Sequence, residues 1–408
     1  MLVVQAASQP SRHKGRIGIA IAGGGPIGGM YELGALRALE CAIEGLDLNR
    51  LDVYVGVSSG AFLAAGLVNR LTTAEICQIF ITGTHPEIQF KPRMFLKPAF
   101  MEYGKRVTSL PSLAFDWWKS MVTDPSGTQL SELLTRFTGA VPTGLFDNAP
   151  IERFLREVFT GPGRNNDFRK LEKPLYVVAV DLDRGQAVRF GSENWDDIPI
   201  SQAVQASSAL PGLYPPVDIK GRHYVDGALR RTMHASVVLD HGIDLMIGLN
   251  PFVPFNAKSN PENANSKSKL ADGGLLMVLS QTFRTLLQSR MQVGLEKYAR
   301  QYPETDQLVL EPDEDDAEMF FTNVFSYSAR YRVCEHAFKR TLNDLKTRAE
   351  VLAPLLAKHG LTLNTAVLDD PDISLLDGIQ PIQPRTATTA QLWHNLNDIE
   401  HGIRKRKA

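Results

Sequence analysis

The sequence predicts an α/β fold built on a mainly parallel central sheet, and three observations lead to this prediction. Residues 16–22 (RIGIAIA) and 51–57 (LDVYVGV) are short apolar runs typical of buried strands. Each is followed closely by a segment with helical spacing of apolar residues, at 30–46 and 59–71. The same rhythm returns after residue 174. Strands that alternate with helices in this way favour a parallel sheet with helices packed on its faces.

The later part of the chain divides into further predicted segments. Strands are predicted at 174–182, 187–190, 223–228 and 244–252, with a helix at 200–210 that Pro211 and Gly212 end. Residues 75–150 break the rhythm and predict an inserted cap, and helices are predicted at 274–301 and about 331–358. We therefore predict an α/β domain over 16–252, a mostly helical C-terminal extension over 253–380, and a linker with a short basic amphipathic helix over 381–408.

Composition excludes several classes of protein. The 408 residues are 43 % hydrophobic and 22 % charged, with a net charge of −1. This is globular, and it gives no basic field for nucleic acid, so no nucleic-acid partner is expected. Three scattered cysteines predict neither a metal site nor a disulfide framework. With no apolar stretch of signal-peptide or membrane-spanning length, we expect a cytoplasmic protein.

A glycine-rich stretch, GGGPIGG at 23–29, separates the first predicted strand from the first predicted helix. Gly23, Gly25 and Gly28 have the G-x-G-x-x-G spacing of a dinucleotide-binding loop. That function requires an acidic residue at the end of the next strand, to bind the ribose hydroxyls. The strand at 51–57 leads instead into Ser58 within G-x-S-x-G. A nucleotide-binding oxidoreductase is therefore the less favoured alternative.

Ser58 lies between Gly56 and Gly60 at a predicted strand-to-helix junction. A sharp turn at such a junction exposes the hydroxyl, and its tightness requires glycine at the flanking positions. A serine nucleophile for acyl transfer needs preorganised N–H donors for the negative oxygen of the tetrahedral intermediate. Unobstructed amides at a helix N-terminus can supply them. The glycines predicted to form this oxyanion hole are Gly23, Gly24, Gly25 and Gly28.

The predicted base is an aspartate rather than a histidine. Asp226, in YVDGAL, ends a short predicted strand and is followed by Gly227. The histidines lie in loops or in no evident catalytic context, although His234 would be the base in a Ser-His-Asp alternative. A free aspartate is a weak base, and burial in an apolar cleft would raise its pKa.

Three motifs in order, GGGPIG, GVSSG and DGA, resemble the patatin-like phospholipase family. The segments ASSALPGLYPPV (206–217) and DLDRGQAVRF (181–190) add to the resemblance, which covers about residues 16–252. It implies a three-layer α/β/α fold and a lipid acyl hydrolase of phospholipase A or lysophospholipase type. It also implies a Ser–Asp dyad of Ser58 and Asp226, an acyl-enzyme intermediate, and no cofactor or metal.

One position departs from the family pattern. Family members usually carry Arg or Lys immediately before the last glycine of the loop, where this chain has Ile27. The basic side chain could stabilise the oxyanion or brace the loop, and Arg184 or Arg230 could substitute for it. The departure keeps a catalytically weak or inactive lipid-binding protein as an alternative.

Two segments are candidates for contact with a membrane surface. Residues 91–119 mix six basic residues with aromatic ones such as Trp117 and Trp118, which suits a headgroup boundary. The same aromatics would also suit a cap packed on the core. At 392–407 an apolar helical face precedes a basic end, which could bind the protein itself, a partner or an anionic membrane. The acyl lipid, its regiochemistry and the oligomeric state do not follow from the sequence.

Overall fold

The central feature is a mixed sheet with a parallel middle. The computed structural model describes residues 2–10, 15–100, 142–256, 270, 274–321 and 327–379. The strands are β1 Leu2–Gln5, β2 Ile17–Ile21, β3 Ile43–Glu44, β4 Val53–Gly56, β5 Leu175–Asp181, β6 Gln186–Phe190, β7 Val217–Ile219, β8 Arg222–Asp226, β9 Leu245–Leu249, β10 Asp306–Leu310 and β11 Thr362–Leu363. Within the described residues, nine of these strands form one sheet in the order β1-β10-β9-β2-β4-β5-β8-β7, with β6 also paired to β5. Strands β3 and β11 pair separately.

Helices connect and cover these strands. The described α-helices are α1 Gly25–Ala42, α2 Ser59–Val68, α3 Thr73–Cys77, α4 Ala149–Phe159, α5 Ile200–Ser207, α6 Ser236–Leu239, α7 Gly274–Gln301, α8 Ala317–Phe321, α9 Tyr327–Thr347, α10 Ala349–Ala357 and α11 Thr365–Asp369. A π-helical turn covers Gln78–Thr82, and short 3₁₀ turns cover Pro92–Leu96, Phe168–Lys170 and Gly227–Leu229.

The two faces of the sheet carry separate hydrophobic cores. Strands β10, β9, β2, β4 and β5 are parallel to their neighbours in that order. Successive side chains alternate between the faces: Ile19 and Ile21 join one core, and Ala20 joins the other. Helices α1, α2 and α9 pack on the first face, and α6 and α7 on the second. The predicted three-layer α/β/α fold with a mainly parallel sheet is confirmed.

Several elements begin or end at other residues than the sequence predicts. The first helix begins at Gly25 rather than residue 30, because Pro26 fits the first turn, where no amide hydrogen bond is needed. The helix predicted at about 331–358 is two helices, α9 and α10, separated at Arg348. Strands β1 and β10 were not predicted, and both belong to the main sheet although they lie outside residues 16–252.

The domain boundaries at 16–252, 253–380 and 381–408 remain predictions. Of the predicted cap, residues 101–141 lie outside the described part, as do 380–408.

Helix α9 packs closely along α1: a methyl group on Gly34 would lie 2.2 Å from the Cys334 carbonyl oxygen. Among the described helices, none combines the length and apolar character that crossing a membrane would require.

Candidate active site

The sheet brings the ends of β4 and β8 together. Strand β6 pairs with one edge of β5 from Val177 to Asp181. The opposite edge is therefore shared: β4 pairs with the first half of β5 up to Val177, and β8 runs antiparallel along the second half from Ala179. The two strands run towards each other and end on either side of Val178. Ser58 follows the end of β4 and Asp226 ends β8, so this topology places the two predicted residues at one point.

Ser58 occupies a strained turn between β4 and α2. Its φ is 51° and its ψ −121°, a conformation that non-glycine residues rarely adopt. The flanking glycines permit the turn: a methyl group on Gly60 would lie 2.3 Å from the Ala22 carbonyl oxygen, and one on Gly56 would lie 2.5 Å from Ala61 Cα. This is the geometry of a nucleophile elbow, as the G-x-S-x-G sequence predicts.

The elbow is tied to the sheet by Ser207, a residue that sequence reasoning did not single out. The Ser58 backbone N–H donates to Ser207 Oγ at 2.9 Å, and the Ser207 hydroxyl donates to the Val178 carbonyl at 2.6 Å. Ser207 is fully buried at the end of α5. It therefore fixes the backbone of Ser58 against the point where β4 and β8 meet.

Asp226 is buried beside Ser58. Its side chain is 3 % exposed, and one carboxylate oxygen accepts from the Ala228 N–H at 2.9 Å. Burial raises the pKa of Asp226 to about 6, while the Ala228 amide and the nearby Ser58 hydroxyl act in the lowering direction. The next residue is Gly227, where any side chain would clash, because its Cβ would lie 2.1 Å from the Val178 carbonyl oxygen. The Asp226 carboxylate is therefore held in a buried position next to the turn that carries Ser58.

The glycine loop covers the serine. A methyl group on Gly23 would lie 2.9 Å from Ser58 Cβ, whereas around Gly25, with φ +61°, no heavy atom lies within 4 Å of the added carbon. Among the described residues, no acceptor is paired with the N–H groups of Gly23, Gly24 or Gly25. The Gly28 N–H differs, because it donates to the Gly24 carbonyl inside α1 at 3.0 Å. Within the described part of the chain, three of the four predicted glycines thus have N–H groups without an acceptor.

His234 is the alternative base, and Arg184 and Arg230 are the predicted substitute cations. His234 is buried, its Nε2 lies 3.3 Å from the Gly227 carbonyl oxygen, and burial lowers its pKa to about 4. It thus contacts the turn behind Asp226 as a neutral ring. Arg184 and Arg230 are both exposed. Ile27, at the position of the missing basic residue, packs against a cluster that contains Met319 and Val333.

The predicted membrane segments are described only in part. Residues 392–407 and most of 91–119 lie outside the described ranges. Of the aromatics up to residue 100, Phe95 packs against Phe90 with ring centroids 5.5 Å apart, while Phe100 is 71 % exposed. In the described ranges, no three His, Cys, Asp or Glu side chains form a group suited to a metal ion.

Known proteins are similar to parts of this chain. The probable lipid hydrolase 463L of Invertebrate iridescent virus 6 is 22 % identical over 206 residues, which are 50 % of this chain and 58 % of that protein. VipD from Legionella pneumophila aligns with 62 % of this chain and 53 % of its own, with a TM-score of 0.33 and 18 % identity. ExoU from Pseudomonas aeruginosa, in its complex with SpcU, aligns with 90 % of this chain and 66 % of its own, with a TM-score of 0.28 and 16 % identity.

The fold and the site define an α/β protein with a serine nucleophile elbow. Residues 19–239 match the family model described as patatin-like phospholipase, and this match spans more than half of the chain. The chain belongs to the patatin-like phospholipase family, as its three motifs predict. It spans little more than half the length of the viral relative.

Proposed function

We propose that this protein is a serine-dependent lipid acyl hydrolase of phospholipase A or lysophospholipase type. The observation that carries the proposal is that Ser58, on a strained elbow, lies next to the buried Asp226, beside a glycine loop with three amides that have no acceptor among the described residues. Family membership and the name of the viral relative support a lipid ester as the substrate.

In the proposed mechanism, Ser58 Oγ attacks the carbonyl carbon of the ester while the Asp226 carboxylate takes the hydroxyl proton. The carbonyl oxygen becomes an oxyanion, which the amides of Gly23, Gly24 and Gly25 stabilise. The proton then passes from Asp226 to the departing alkoxide, leaving an acyl-enzyme on Ser58. Water then attacks the acyl carbon while Asp226 takes its proton, and Asp226 passes that proton to Ser58 Oγ as the fatty acid leaves. Gly28 supports the loop through packing, because its N–H is already paired.

The burial of both side chains favours this direct proton transfer. Ser58 is 6 % exposed and Asp226 is 3 % exposed, so little water competes for the proton. A pKa of about 6 makes Asp226 a stronger base than an ordinary aspartate while leaving it mainly ionised at neutral pH. The acyl chain would enter an environment lined by residues such as Ala228 and Phe252, which lie closest to Gly23 beside the serine.

Contact with a membrane belongs to the same proposal. The substrate class requires the protein to reach lipid, and the basic and aromatic composition of 91–119 and 392–407 supports peripheral binding. The exposed ring of Phe100 is consistent with such contact.

The experiment is release of fatty acid from phospholipids, lysophospholipids and glycerides by wild type, Ser58→Ala and Asp226→Asn. We expect both variants to lose activity to a similar extent, by about 10³-fold or more, since the pair acts as a unit. Activity in Asp226→Asn with loss in His234→Ala would favour a Ser-His-Asp enzyme. Lipid binding without hydrolysis by the wild type would favour the inactive alternative, and binding of a nicotinamide cofactor the oxidoreductase.

A further inference from the structure

A six-residue segment after β9 packs against the glycine loop. We call residues 250–255 the strap. A methyl group on Gly24 would lie 2.5 Å from Pro251 Cγ, and one on Gly28 would lie 2.9 Å from the same atom. The ring of Phe252 reaches within 3.5 Å of the corresponding point on Gly23. The strap therefore packs directly against the glycine loop, and its position limits how far the loop can move.

Helix α7 holds the strap through polar side chains. Arg284 Nη1 donates to the carbonyls of Pro251 and Val253 at 3.2 and 3.1 Å. Gln281 makes two bonds with the backbone of Phe255, donating from Nε2 at 2.8 Å and accepting at Oε1 at 3.1 Å. Each bond joins the helix to a backbone group that lies outside the strands of the sheet.

The first residue of the strap is fixed by a second set of bonds. The Asn250 amide donates to Gln288 Oε1 at 3.0 Å and to Glu311 Oε1 at 2.7 Å, while its Oδ1 accepts from the Phe252 N–H at 3.2 Å. Residues 281, 284 and 288 are spaced three and four apart, which places them on one face of α7. Three successive positions along this face thus bind three successive parts of the strap.

Of the α7 side chains that bind the strap, Arg284 costs the most free energy to bury. It is 8 % exposed, and its guanidinium lies 5.2 Å from the centre of the Phe320 ring. Burial lowers its pKa to about 10, which still leaves it charged at neutral pH. Desolvating a cation to bind two carbonyls of one short segment is a poor source of stability. It is an effective way to fix a backbone, because the planar group presents its donors in a rigid geometry.

We propose that Gln281, Arg284 and Gln288 are positioning residues for the glycine loop, acting through the strap. This inference rests on the proposed function, in which the loop amides bind the oxyanion. The loop itself, GGGPIGG, contains no charged side chain, and Ile27 packs away into the cluster of Met319 and Val333. The contacts that keep the glycine loop in place must therefore be made by neighbouring segments. The restraint comes from α7, beyond the 19–239 range that defines the family match.

The test is steady-state hydrolysis of a short-chain p-nitrophenyl ester by Arg284→Met, with Arg300→Met as the matched control. Arg300 lies on the same helix but is exposed. We expect kcat to fall about 100-fold in Arg284→Met with KM nearly unchanged, because a displaced loop weakens only transition-state binding. Arg284→Lys should recover part of kcat, and Arg300→Met should match the wild type.

A second variant keeps the test decisive if Arg284→Met does not fold. Gln281 is only partly buried, and Gln281→Leu removes its two bonds to Phe255 while leaving Arg284 in place. We expect about a 10-fold loss of kcat with an unchanged melting temperature. Wild-type kcat in either folded variant, or a loss confined to KM, would overturn the proposal. Absence of Ser58-dependent hydrolysis in the wild type would instead overturn the proposed function.

Discussion

At the scale of single residues, the environment of Asp226 determines what the site can do. A carboxylate that is exposed to water binds protons too weakly to accept one from a serine hydroxyl. Here burial raises the pKa of Asp226 to about 6, although the Ala228 amide and the Ser58 hydroxyl act in the opposite direction. The same burial makes the ionised form costly, so the site gives up some stability to gain a better base.

This leads to a prediction about the pH dependence of catalysis. Only the ionised carboxylate can accept the serine proton, so kcat/KM should increase with pH and level off above the pKa of the free enzyme. We expect the midpoint near pH 6, measured with an ester whose hydrolysis is insensitive to pH in this range. A midpoint near pH 4 would contradict this prediction, because it is expected both for a solvated Asp226 and for His234, whose pKa burial lowers to about 4.

At the scale of elements, α2 combines a strained start with an ordinary interior. Gly60 lies where the elbow meets β2, and a methyl group there would contact the Ala22 and Ile21 carbonyl oxygens at 2.3 and 2.4 Å. Gly66, two turns later in the same helix, has only side-chain neighbours, at 3.5 Å or more from an added carbon. The two glycines therefore serve different purposes, and only the first is required by close packing.

The matched substitutions Gly60→Ala and Gly66→Ala test this difference. Gly60→Ala should destabilise the protein by about 2 kcal/mol or more and abolish hydrolysis, because backbone carbonyls cannot move aside. Gly66→Ala should raise the free energy of unfolding by about 0.5–1 kcal/mol, since alanine favours a helix interior, and should leave activity intact. Denaturant unfolding and ester hydrolysis measure both. Equal effects of the two changes would contradict the proposed role of Gly60.

At the scale of the whole molecule, the site depends on contacts between distant parts of the chain. Strands β4 and β8 approach each other along one edge of β5, so Ser58 and Asp226 meet although 168 residues separate them in sequence (226 − 58). The strap and α7 then connect the glycine loop to the C-terminal half of the chain.

Sequence alone predicts the local parts of this arrangement. Buried parallel strands such as β2 and β4 are short continuous apolar runs, and tight turns require glycine, so both are visible without a structure. The proposed dyad of Ser58 and Asp226 is predicted from the order of the motifs rather than from geometry.

The parts that sequence alone missed depend on non-local pairing. Strand β10 is a five-residue run whose assignment depends on contacts with β9 and β1. Ser207 acquires its role only by contact with Ser58, 149 residues away. The polar face of α7, at 281, 284 and 288, resembles a solvated helix face until the strap is seen against it.

The most direct test of the account is fluorophosphonate labelling of the full chain, with the modified residue identified by peptide mass spectrometry. The account predicts rapid modification of Ser58 in the wild type, none in Ser58→Ala, and a rate at least about 100-fold slower in Asp226→Asn, because the hydroxyl is then no longer deprotonated as it attacks. Modification of another residue, or an undiminished rate in Asp226→Asn, would contradict it.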